Sequence, residues 1–137
     1  MDRARDVALL AARTVIGIVF IMHGWLKLTN AELGPAAFES LGLPLPTITF
    51  WAVSLAEVVG GTAFIVGLAL PLVGAIFAAL TLGALFLVHL PNGFWAEGGG
   101  YEYVMVLAIL SPATALTANK WSLDAAIAKR RSNKVTA

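Results

Sequence analysis

The sequence predicts an all-α integral membrane protein, a bundle of four transmembrane helices with the N and C termini in the cytoplasm. Three observations carry that prediction. Hydrophobic residues make up 59% of the 137 positions and charged residues only 12%, against about 45–50% and about 25% in soluble domains. Proline and glycine clusters divide the chain into four long apolar segments. Basic residues gather before the first segment and after the fourth. A soluble domain of this size would expose too much surface to carry so few charges. The net charge of +1 offers no field to recruit nucleic acid. The absence of cysteine removes disulfides, thiol catalysis and iron–sulfur clusters together.

The segments run in order along the chain. Residues 7–28 form the first, carrying Arg13, His23 and Lys27; residues 47–70 form the second, with Glu57 as its one charge. Pro71 opens the third, 71–90, which has no charge, and Glu102 stands at the start of the fourth, 101–118. A membrane span needs about 20 apolar residues, which the first three supply and the fourth narrowly misses. A cleaved signal peptide is the rival reading of the first segment. Arg13 interrupts its apolar run and no small-residue cleavage pattern comes after His23-Gly24-Trp25, so it is expected to stay as a helix.

Arg3 and Arg5 precede the first segment, and Lys120, Lys129, Arg130, Arg131 and Lys134 come after the fourth. The positive-inside rule therefore puts both termini in the cytoplasm, as an even number of spans requires. The outer loop 29–46 contains a proline-started turn of helix with Phe38 and Leu41 on one side. Past the fourth span, Ser122 can cap a short cytoplasmic helix, 123–129, with Asp124 in its first turn. The membrane domain thus occupies 1–128, and 130–137 reads as a basic flexible tail.

Ionisable groups at membrane depth are the candidates for chemistry, because each is costly unless paired or hydrated. Glu57 lies ten residues into its segment, about 15 Å from the outer end. On the first segment Arg13, Gly17, Phe20, Gly24 and Lys27 form one stripe, with His23 beside it. Depth counting puts Glu57 between His23 and Arg13, within reach of the long Arg13 side chain or of a water. An Arg13–Glu57 pair fixing helix register is one reading; Glu57 and His23 as a proton relay or head-group site is the other. Gly17, Gly24, Gly60 and Gly67 would let the two helices approach closely. His89, Lys27, Tyr101, Glu102 and Tyr103 converge with His23 at the outer end, as a polar pocket or as interface anchors. No close-spaced ligand motif supports a metal at His23, His89 and Glu102, so none is expected.

Several of these motifs form a set. Arg13-xxx-Gly17-xx-Phe20-xx-His23-Gly24-xx-Lys27-Leu28, Gly42-Leu43-Pro44, Glu57-xx-Gly60-Gly61, Gly67-Leu68, His89, Tyr101-Glu102 and Trp121-Ser122-Leu123-Asp124 together resemble the DoxX family of small bacterial membrane proteins. The resemblance covers residues 10–125 and implies a multi-pass protein of the bacterial inner membrane, working near terminal quinol oxidases or thiosulfate:quinone oxidoreductases. It implies a redox-associated subunit binding a quinone-like lipid, with Glu57 and His23 catalytic and Arg13, His23, Lys27, Glu57, His89 and Glu102 around the ligand. No haem, flavin or iron–sulfur motif is evident, so a quinone or a partner would carry the electrons. A non-catalytic anchor for a peripheral redox enzyme, a homo-oligomer and a small proton-coupled transporter are the alternatives.

Overall fold

The computed structural model of the protein describes residues 2–117 and 120–135. Among them the secondary structure is entirely helical. Helix α1 (Asp2–Thr29) is followed by a 3-10 turn, Ala31–Leu33, and by the short α2 (Pro35–Ser40). Helix α3 (Pro46–Val66), α4 (Leu70–Ala84), α5 (Glu102–Leu116) and α6 (Leu123–Val135) complete the chain. Three stretches are long and apolar enough to cross a membrane: Arg3–Thr29, Pro46–Val66 and Leu70–Asn92. The fourth, α5, has 15 residues, about 22 Å at 1.5 Å per residue. Apolar side chains such as Val15, Val59, Leu72 and Ile109 remain exposed on the outside of the bundle. Such a surface suits acyl chains rather than water.

The boundaries differ from the sequence prediction where backbone chemistry intervenes. Helix α3 stops at Val66, short of 70, because Gly67 takes a left-handed φ of 76°. Its N–H and that of Leu68 both reach back to Ala63 O at 2.9 Å. That closure satisfies carbonyls the helix end leaves open. Beyond Ala84 the third span widens into one π turn, Leu85–His89, then tightens into a 3-10 turn, Leu90–Asn92. Helix α5 ends at Leu116; residue 118, the predicted end, lies outside the described residues.

The stretch read as a flexible tail needs correcting. Helix α6 runs on through Arg130, Arg131 and Lys134 to Val135, six residues past the predicted end at 129. Arginine and lysine are good helix formers, and a cation in the last turn suits the helix dipole. Thr136 and Ala137 lie outside the described residues.

Helices α1 and α3 pack as one pair and α4 and α5 as another. The first pair is close because glycines face each other. A methyl group on Gly17 would come 2.7 Å from Gly61 O, and one on Gly61 would come 2.6 Å from Gly17 O. Gly24 likewise lies against Ser54 and Glu57. Gly60, predicted at this seam, instead faces Phe77 of α4, and Gly61 takes its place. The two pairs are joined by aromatic packing. Phe20 stacks on Phe77 with centroids 3.5 Å apart, and the fully buried Phe64 lies 5.4 Å from Phe77.

The glycine contacts also fix the register of α1 against α3. Gly24 is level with Glu57, and Gly17 with Gly61. Gly24 lies five residues from the end of α1, and Glu57 eleven from the start of α3. Helix α3 therefore reaches about 9 Å beyond α1. The overhang is covered by α2, whose buried Phe38 meets Phe50 edge-on with centroids 5.6 Å apart.

Candidate functional site

A cavity of about 550 Å³ opens at the end of the bundle opposite the termini. It is walled by α1, α3, α4 and α5, and α2 contributes Ala37 and Phe38. Most of its lining is aliphatic or aromatic: Val19, Phe20, Val53, Leu80 and Leu107 are typical. Its polar side chains include His23, Lys27, Glu57, His89 and Tyr103.

Glu57 owes its partner to the register. Because α3 overhangs α1, Glu57 lies one turn inside the end of α1, at the level of Gly24. Lys27, three residues on, reaches it: Nζ donates to Oε1 at 2.9 Å and to Oε2 at 2.7 Å. Their side chains are 20% and 10% exposed, so both charges are largely out of water and compensate each other. The predicted Arg13–Glu57 pair is thus replaced by Lys27–Glu57. Depth counting misplaces the partner because it takes the ends of the two helices as level.

The two histidines are held in one manner. His23 Nδ1 lies 2.8 Å from Val19 O, and His89 Nδ1 lies 2.7 Å from Gly99 O. A carbonyl only accepts, so each Nδ1 carries the proton. The His23 ring also stacks against Tyr103 of α5 with centroids 5.9 Å apart. The π turn matters for His89: one extra residue in a turn rotates the downstream side chains around the helix axis.

Two predicted ligand residues fall elsewhere. Glu102 does not line the cavity. It opens α5, and its backbone N–H donates to Phe94 O at 2.9 Å. Tyr103, Val104 and Leu107 carry the cavity face of that helix instead. Arg13 belongs to a latch at the opposite end. Its Nε donates to Ile65 O at 3.1 Å and its Nη2 to Trp121 O at 2.7 Å, with Asp124 supplying a nearby negative charge.

The latch is only half visible in the sequence. Ser122 Oγ accepts from Ala125 N at 3.2 Å and so caps α6. Asp124 stands in the first turn of α6 as predicted and in addition caps α4: its two oxygens accept from Ala69 N at 2.8 Å and Leu70 N at 2.9 Å. Its own N–H donates to Gly67 O at 3.0 Å. The Trp121-Ser122-Leu123-Asp124 motif is the available signal; its partner cannot be read from spacing.

The family model for DoxX matches residues 8–90. The chain is 31% identical over 134 residues to a Bacillus subtilis protein named "Putative oxidoreductase CatD", covering 97% of this chain and 96% of that one. It is also 31% identical over 139 residues to "Uncharacterized membrane protein Rv3486" of Mycobacterium tuberculosis, covering 90% and 83% respectively. No solved structure matches significantly. The family model's match over more than half of the chain, with a relative 31% identical over nearly the full length of both chains, makes this chain a member of the DoxX family.

Proposed function

We propose that the protein is a redox-associated membrane subunit that holds a quinone-like lipid in the cavity, with the ring beside His23, Lys27 and Glu57. The observation that carries this reading is an apolar volume of about 550 Å³ with an ion pair set into its wall. That volume lies within the range of about 300–1,000 Å³ usual for small-molecule sites. A bound quinone would supply two-electron chemistry. The chain's own part is to exclude water, orient the ring oxygens and hold protons at the imidazoles and at Glu57. A relative whose name designates an oxidoreductase agrees in class. Membership of the DoxX family favours the bacterial inner membrane, and the basic residues near both termini favour placing those termini in the cytoplasm.

The test is binding of a decyl-tailed benzoquinone to protein in lipid nanodiscs. Saturable binding is expected. Gly83 lines the cavity and has open space around the position of a side chain. Gly83→Leu should therefore weaken binding about tenfold or more, equivalent to about 1.4 kcal/mol, with the melting temperature nearly unchanged. No saturable binding by the wild-type protein overturns the reading.

A second reading, a membrane anchor for a peripheral redox enzyme, is favoured by α6. That helix is fastened to the bundle through Asp124 and exposes Lys129, Arg130, Arg131 and Lys134. Capture of a redox partner that survives Gly83→Leu but is lost on neutralising those four residues would favour it.

A further inference from the structure

The hydrogen-bonding inventory of the cavity is unbalanced. Each histidine spends its Nδ1–H on a backbone carbonyl, Val19 O or Gly99 O. As neutral rings, both then present Nε2 as an acceptor. The hydroxyls of Thr49 and Thr81 are also spent, on Pro44 O and Phe77 O. Lys27 directs two of its three N–H bonds at Glu57. What remains on the donor side is one Lys27 N–H and the Tyr103 hydroxyl. On the acceptor side, among the described residues, remain two imidazole nitrogens, the lone pairs of the two threonine hydroxyls and the spare lone pairs of a carboxylate.

A benzoquinone has two carbonyl oxygens and only accepts; its two-electron-reduced form carries two hydroxyls that donate. We infer that the cavity selects the reduced, hydroquinone form, with His23 Nε2 and His89 Nε2 accepting from the ring hydroxyls. His23 stands on α1 and His89 on the π turn after α4, so the two acceptors come from different walls of one cavity. An aromatic ring with hydroxyls on it matches such a pair. A bare quinone would leave both imidazole acceptors desolvated and unpaired, which is the costly outcome. The inference rests on the lipid-quinone reading and adds the redox state that the site prefers.

The experiment titrates decyl-benzoquinone and its hydroquinone, separately and without oxygen, into the full-length protein in nanodiscs. The hydroquinone should bind about tenfold or more tightly, as expected for two added hydrogen bonds. A tenfold preference also raises the midpoint potential of the bound couple by about 30 mV. In His23→Phe/His89→Phe the ratio should fall close to one, mainly through lost hydroquinone affinity. If that variant does not fold, His23→Gln and His89→Gln, which can still accept, should each retain most of the preference, and either single Phe variant should reduce it. Equal affinities in the wild type, or a ratio unmoved by the Phe variants, overturn the inference while the cavity reading stands. Absence of saturable binding for both forms overturns the cavity reading itself.

Discussion

Lys27 and Glu57 face each other across the α1–α3 seam, the ammonium bridging both carboxylate oxygens at 2.9 and 2.7 Å. Lys27 stands near the end of its helix while Glu57 is eleven residues into the other. Only the overhang of α3 brings them level. Neither charge could stand alone at this depth without large cost.

Removing one member of that pair should be worse than removing both. Lys27→Met leaves Glu57 without its cation and should destabilise the fold by about 3 kcal/mol, the lower end of the range for broken buried pairs. Lys27→Met/Glu57→Gln should recover at least half of that loss. Unfolding in mixed detergent micelles measures both, and a double variant no better than the single would show that the pair is not an isolated unit.

Asp124 caps a helix other than its own, so its loss should be felt in two places. Asp124→Ala should cost about 1 kcal/mol through the lost cap of α4. It should also free α6, which limited trypsin digestion will detect as faster cleavage around Lys129–Arg131. Asp124→Asn should lie between, because asparagine is a competent cap without the charge that faces Arg13. Unchanged cleavage in Asp124→Ala would show that α6 is held by other contacts.

The glycine seam separates two positions that look alike in sequence. In Gly61→Ala the methyl meets Gly17 O, a backbone atom that cannot swing away. Overpacking of this kind costs about 1–3 kcal/mol. Gly98→Ala meets nothing within 4 Å and should stay within about 0.5 kcal/mol of the parent. Thermal unfolding monitored by circular dichroism distinguishes them.

Ser54 is fully buried, and its hydroxyl has no partner among the described residues. Burying an unpaired hydroxyl is unfavourable by about 1–3 kcal/mol. Ser54→Ala should therefore be neutral or stabilising in the same unfolding assay, against the usual trend for core substitutions. A clear loss would mean that a water or ligand atom completes the site.

The spans are legible because composition and the spacing of proline and glycine act locally. So are the identities of the costly residues: Glu57, Lys27 and the two histidines are few enough to stand out in an apolar chain. Which of them meet cannot be read. Pairing depends on the offset between α1 and α3, and that offset is set by the Gly17–Gly61 contact and by Phe38 packing on Phe50. Residue spacing within a helix carries no information about either. Arg13 shows the same limit from the other side. It shares a stripe with Lys27, yet its partners include carbonyls of Ile65 and Trp121, the second 108 positions away.

The brevity of α5 has a consequence for the surrounding lipid. Its 15 residues fall about 8 Å short of a hydrocarbon layer about 30 Å thick. Beside α1 and α3 no such shortfall exists. The third span, Leu70–Asn92, is also long enough to cross, so the thinning is confined to the lipid that faces α5. The molecule therefore carries a narrow strip of thinned bilayer beside α5 wherever it diffuses.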